Sequence, residues 1–98
     1  MTPPDSPLDD FSADVAQLCR LAGVDARWLQ QHIADSLVDA STSGAGGEVH
    51  FDAFVLRRVQ RIARLERDFD AVPELAALVV DLEEEVRTLR ARLQRLAP

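Results

Sequence analysis

The chain has 98 residues, a formal net charge of −6, 47% hydrophobic residues and 29% charged residues, ordinary values for a globular protein. A chain of this length makes one domain, or one small domain plus an extended element. It buries only about 60–65% of its unfolded surface, so association is a natural source of further burial. The negative balance disfavours nucleic acid and anionic membranes and favours basic protein partners, and a single cysteine, Cys19, excludes an internal disulfide.

Residues 1–10 hold three Pro and three Asp and read as a disordered acidic tail. They lack the apolar core of a signal peptide. The longest apolar run, Leu75 to Val80, is far too short to span a bilayer. A cytoplasmic protein is the expectation.

Ser12 is a suitable N-cap for a first helix. Val15, Leu18, Cys19 and Ala22 follow at helical spacing, and Gly23 supplies the left-handed residue that ends the helix. Cys19 reads as a half-buried thiol with only Arg20 nearby to activate it. Val24 seals the junction and Asp25 caps a second helix with an apolar stripe of Trp28, Leu29 and Ile33. Two short helices joined by a Gly turn form a helix-turn-helix pattern, here from Phe11 to Leu37. Its charge is wrong for DNA. Residues 1–52 hold nine acids against Arg20 and Arg27, whereas DNA binders rely on Lys and Arg against phosphate.

Leu37-Val38 reads as a short strand, Asp39 to Glu48 as a Ser/Thr/Gly-rich loop, and Val49-His50-Phe51 as a second strand. Together they predict a small two-stranded wing. Asp52 caps a third helix from Ala53 to about Arg67. Its apolar residues are Phe54, Val55, Val59, Ile62, Ala63 and Leu65, and Arg57, Arg58, Arg61 and Arg64 form a stripe on the other face. That stripe reads as a solvated face paired with internal acids, as a DNA-backbone contact, or as part of a protein interface.

Asp68 to Val72 breaks the pattern, and Pro73 fits the first turn of a last helix that runs to Leu96. Leu75, Val79, Leu82, Val86, Leu89, Leu93 and Leu96 alternate spacings of four and three, a heptad seam with Val79, Val86 and Leu93 at a and the leucines at d. A helix about 35 Å long outreaches a 60-residue globule, so the seam predicts a homodimer. Val at a with Leu at d favours a parallel pair. Asp81, Glu83, Glu84 and Glu85 ahead of Arg87, Arg90, Arg92 and Arg95 favour an antiparallel one, and the orientation stays open.

No catalytic, cofactor or metal constellation is present. His32 and His50 lie 18 residues apart with no Cys pair or carboxylate cluster at metal spacing. Gly44-Ala45-Gly46-Gly47 precedes neither a helix nor a Lys, so it is not a phosphate loop. His32 reads as a surface or rim residue, otherwise as a partner contact, and His50 as structural. The expected organisation is therefore mainly α: a tail (1–10), a winged helix-turn-helix unit (11–67) and a C-terminal coiled-coil dimerisation helix (68–98).

Three stretches carry a resemblance to a known family. They are Leu18-Cys19-Arg20-Leu21-Ala22-Gly23-Val24 with the helix that follows, Phe51-Asp52 with Val59-Gln60-Arg61-Ile62-Ala63-Arg64-Leu65, and Val86 through Leu96. In order, spacing and total length the chain resembles the chaperone modulator family CbpM, an offshoot of the MerR-type winged helices. Against MerR regulators proper, Asp25-Ala26-Arg27-Trp28-Leu29-Gln30-Gln31-His32-Ile33 keeps one Arg and lacks the paired aromatics, and the expectation is of no effector domain after the dimerisation helix.

The resemblance implies a non-enzymatic role: binding the J-domain of a CbpA/DnaJ-type co-chaperone and inhibiting it. J-domains present a basic helix to the chaperone DnaK, and an acidic modulator can occupy that face, with complementary charge speeding the encounter. Asp14, Asp25, Asp35 and Asp39 are the expected acidic contacts. Trp28 and His32 are the expected less polar centre, although Asp25 is also explained as an N-cap and Trp28 as core. A DNA-binding regulator using Arg57, Arg58, Arg61 and Arg64 is the alternative.

Overall fold

The computed structural model describes residues 11–43 and 48–97. The expected tail (1–10) and the Gly-rich loop tip (44–47) lie outside them. The elements are α1 (Val15–Ala22), α2 (Ala26–Ala34), β1 (Ser41–Ser43), β2 (Glu48–His50), α3 (Ala53–Phe69) and α4 (Pro73–Leu96).

The helix ends follow local chemistry, with one correction. The cap of α1 is Asp14, not Ser12. Asp14 Oδ1 accepts from Gln17 N–H at 2.8 Å and Gln17 Oε1 accepts from Asp14 N–H at 2.9 Å, a reciprocal capping box. Ser12 cannot open the helix because the next residue is held extended: Ala13 and Phe51 exchange two backbone hydrogen bonds of 2.9 Å. Ser12 Oγ instead lies 3.2 Å from His50 Nδ1.

Gly23, at φ 70° and ψ 35°, ends α1 in the left-handed conformation, and its N–H donates to the Cys19 carbonyl. Asp25 caps α2 through Trp28 N–H at 2.7 Å, and Asp52 caps α3 through Val55 N–H at 2.8 Å. Pro73 opens α4 with no side-chain cap, because its missing N–H is one the first turn leaves unpaired in any case. α3 extends past the expected Arg67 to Phe69 and stops where Asp70 turns left-handed at φ 53°.

Leu37-Val38 is not a strand. The chain turns at Ser36 (φ 64°), and the Leu37 and Val38 N–H groups donate to the His32 carbonyl. They close the end of α2 rather than a sheet. Val38 points inward and is buried. β1 starts three residues later and pairs antiparallel with β2, Thr42 opposite Val49. Phe51, expected in the second strand, has left that ladder to pair with Ala13.

The core runs through Leu18, Leu29, Val38, Phe51, Val59 and Ile62, and continues to Leu65, Ala76, Ala77 and Val80. α3 is its axis, packing against both α1 and α4. Phe54, expected on its apolar face, is half exposed at 52%. Within α4 only Ala76, Ala77 and Val80 are buried. Small side chains there let the two helices approach, and the rest of α4 is partly or fully exposed.

Candidate functional site

The four acids expected at a partner surface, Asp14, Asp25, Asp35 and Asp39, are all exposed. Asp14, Asp25 and Asp35 occupy helix ends, and Asp39 lies in the segment between α2 and β1. Asp14 and Asp25 each give Oδ1 to a cap, where the helix dipole also favours negative charge. Asp35 stands at the C-cap of α2, and its Oδ2 accepts from Gln31 Nε2 at 3.1 Å. The outward positions of α2 are Ala26, Arg27, Gln30, Gln31 and Ala34. Arg27 is thus the lone cation on this helix face, between Asp25 and Asp35. A helix with that charge is poorly equipped to enter a phosphate-lined groove.

Trp28 and His32 do not form an exposed apolar centre beside those acids. His32, expected at the surface or rim, is 4% exposed. Its Nδ1 lies 2.8 Å from the Trp28 carbonyl oxygen and its Nε2 lies 2.7 Å from Glu66 Oε2. A carbonyl only accepts, so Nδ1–H donates to it, and Nε2 faces the Glu66 carboxylate. Trp28 Nε1–H donates to Glu66 Oε1 at 2.9 Å, and the two rings stack with centroids 3.6 Å apart. Glu66 on α3 thereby holds both side chains of α2. The cause lies one turn apart on α2: residues 28 and 32 share a face, and that face turns inward.

The arginine stripe of α3 is divided. Arg58 Nη1 pairs with Asp81 Oδ1 at 2.7 Å and lies 3.8 Å from Glu84 Oε1, and Arg58 Nε donates to the Leu37 carbonyl at 2.9 Å. Arg61 makes two parallel bonds to Glu83, of 3.0 and 2.8 Å, the fork geometry that suits a guanidinium to a carboxylate. Those bonds push the Arg61 guanidinium further up and hold the Glu83 carboxyl below the usual carboxylate range. Arg57 and Arg64, the other two members of the stripe, are exposed and have no carboxylate within ion-pair distance among the described residues.

None of the seven seam residues of α4 is buried. Exposure runs from 40% at Val79 to 80% at Leu96, with Leu75, Leu82, Val86, Leu89 and Leu93 between. Ala76, Ala77 and Val80 carry α4 into the core, while Val79, Leu82 and Val86 line an open groove with Phe54 and Arg57 of α3.

Cys19 is half-buried, and burial, with the Asp25 charge adding to it, raises its thiol above the usual range. That is the opposite of an activated nucleophile. Among the described residues no group of three or more His, Cys, Asp or Glu is placed to hold a metal ion, and no helix is long and apolar enough to cross a membrane.

Sequence reasoning missed Glu66 and the α4 partners of Arg58 and Arg61. Glu66 sits 34 residues from His32 and carries no local signal. The arginine pairing had one: α3 and α4 are joined by a short break, which makes them antiparallel neighbours with facing stripes of opposite sign.

No curated protein and no solved structure matches the chain. The profile of the MerR HTH family regulatory proteins matches residues 13–97, from the strand-like residue before α1 to the end of α4. The capped α1–Gly23–α2 unit and the long terminal helix both fall within that span, and the chain belongs to the MerR HTH family of regulatory proteins.

Proposed function

We propose that this chain is a dimeric chaperone modulator of the CbpM type. It binds the J-domain of a CbpA/DnaJ-type co-chaperone and inhibits it by occupying the basic face that the J-domain presents to DnaK. The observation that carries this reading is the charge of the helix-turn-helix surface. Residues 11–40 present Asp14, Asp25, Asp35 and Asp39, all exposed, against Arg20 and Arg27. Such a surface attracts a basic helix and repels a phosphate backbone. Asp35 and Asp39, which do not cap a helix N-terminus, are the acids most free to pair across an interface. Trp28 and His32 act behind them by fixing the angle of α2. The β1–β2 hairpin stands as the wing, and two copies associate through Leu75, Val79, Leu82, Val86, Leu89, Leu93 and Leu96.

The alternative, a DNA-binding regulator using Arg57, Arg58, Arg61 and Arg64, is supported by the family match and weakened by the pairing of Arg58 and Arg61 with α4. Titration against the J-domain of the host's own CbpA-like protein, with a duplex-DNA control, separates the two. Micromolar or tighter binding to the J-domain is expected, with Asp35→Asn plus Asp39→Asn slowing association and reducing its salt dependence. Absence of J-domain binding at micromolar levels rejects the proposal. A salt-dependent, sequence-selective DNA shift would establish the alternative.

A further inference from the structure

A second charged surface lies between α1 and α3, and the reading above makes no use of it. α1 and α3 flank a groove of about 420 Å³ lined by Leu21, Gln60, Arg57, Arg61, Arg64 and Arg67. Arg57, Gln60, Arg64 and Arg67 follow one another at three and four residues along a single face of α3. Gln60 Nε2 donates to the Leu21 carbonyl at 3.2 Å and ties the groove floor to the end of α1. Arg67 reaches across the turn, its Nη1 3.7 Å from the point a Cβ at Gly23 would occupy. Of the four guanidinium groups only Arg61 is engaged, by Glu83. Among the described residues Arg57, Arg64 and Arg67 have no carboxylate within ion-pair distance, and the remaining acid near Arg61 is Asp68, one turn on from Arg64.

We infer that this groove is a docking site for an acidic protein segment that carries Asp or Glu side chains around an apolar anchor. Three unengaged cations gathered in one recess repel one another and are relieved by carboxylates, whose geometry the guanidinium fork matches. Leu21, 52% exposed at the groove, gives an apolar side chain a seat and has nothing to offer a phosphate. Shape also disfavours duplex DNA, a broad rod that offers phosphates but no apolar side chain for the seat at Leu21. The molecule therefore has two surfaces of opposite sign, an acidic one at the ends of α1 and α2 and a basic one between α1 and α3.

The test uses the full chain and a short fluorescein-labelled peptide of glutamate with leucines at helical spacing. Fluorescence anisotropy is expected to show micromolar binding that is lost at high salt. Arg64→Glu combined with Arg67→Glu should weaken it at least about tenfold, as removal of close charge pairs does. Leu21→Ser should also weaken it, and Asp35→Asn should not. The arginines are exposed, so circular dichroism of the variants should match the parent. Arg64→Gln with Arg67→Gln, which introduces no charge, is the second variant and should weaken binding in the same direction. The inference is overturned if the peptide binds no better than its lysine counterpart or if neither arginine pair changes its affinity. It is equally overturned if duplex DNA binds more tightly than the peptide and loses that binding in the same variants.

Discussion

Replacing Glu66 with Ala removes the one acceptor that serves two side chains of α2. His32 Nε2 loses a 2.7 Å partner and Trp28 Nε1–H loses a 2.9 Å partner. A hydrogen bond to a charged group contributes about 1.5–3 kcal/mol, and a buried polar atom left alone costs about 1–3 kcal/mol. His32 is buried at 4% exposure, so water does not rescue it. Trp28 is only half-buried, and its N–H recovers part of the loss from solvent. The expected destabilisation is about 2–4 kcal/mol, a large share of the roughly 5–15 kcal/mol that holds a domain together. Glu66→Gln tests the chemistry rather than the volume. Its oxygen can accept from Trp28, and its amide can donate to the Nε2 lone pair of a neutral His32, so the cost should stay within about 1 kcal/mol. Urea unfolding followed by the emission of Trp28, the only tryptophan of the chain, measures both variants at one fixed protomer concentration. A double-mutant cycle with His32→Ala isolates the pair. A Glu66→Ala cost below about 1 kcal/mol, or a coupling indistinguishable from zero, would refute the assignment of Glu66 as the fastening of α2 to α3.

The remaining predictions concern the helix start, the acid limb of stability and the seam. Asp14→Ala should cost about 0.5–2 kcal/mol by removing the capping box, whereas Ser12→Ala should leave thermal stability nearly unchanged; the reverse ranking would return the cap to Ser12. Glu83 is held below the usual carboxylate range by the hydrogen bonds from Arg61. Its pairing therefore stabilises the fold above that range, and the benefit fades as pH falls through the lowered value. Both side chains are more than a third exposed, at 39% and 37%, so solvent screening limits the effect to about 0.5 kcal/mol or less. Glu83→Gln should flatten this part of the acid limb, measured as unfolding midpoint against pH. Leu89→Asp should convert a sedimenting dimer into a monomer, and a monomeric parent protein would remove the dimer from the proposal.

What could be read from the residues was chiefly local. Gly23, Asp25, Asp52 and Pro73 act within one turn of themselves, and the structure places all four as their chemistry demands. The misreadings share a cause in contacts between distant residues. Ser12 lost its role because Phe51, far along the chain, holds Ala13 extended. Leu37-Val38 alternates poorly with its surroundings but looks extended in isolation; only the left-handed turn at Ser36 and the buried seat for Val38 reveal it as the closure of α2. His32 looked like a surface residue because it lies among polar neighbours, and its burial depends on Glu66. The acidic residues of the expected partner surface are exposed, as their charge alone predicts.

The pairing across α3 and α4 also changes the argument about the seam. Asp81, Glu83 and Glu84 were part of an acidic half of α4 that an antiparallel partner could have set against Arg87, Arg90, Arg92 and Arg95. Three of the four acids in that block are engaged at home by Arg58 and Arg61, which leaves Glu85 alone to draw on a partner's arginines. Exposed pairs are weak in any case, so in the proposed dimer charge would contribute little to the orientation, and apolar packing at Val79, Val86 and Leu93 would set it. The same pairing has a second effect. Arg58 bonds at once to the Leu37 carbonyl at the end of α2 and to Asp81 on α4. It ties the helix-turn-helix to the base of the seam helix. Association through α4 would therefore carry the two acidic surfaces with it as fixed bodies, and the spacing of the basic faces they meet would be set by the seam rather than by a flexible linker.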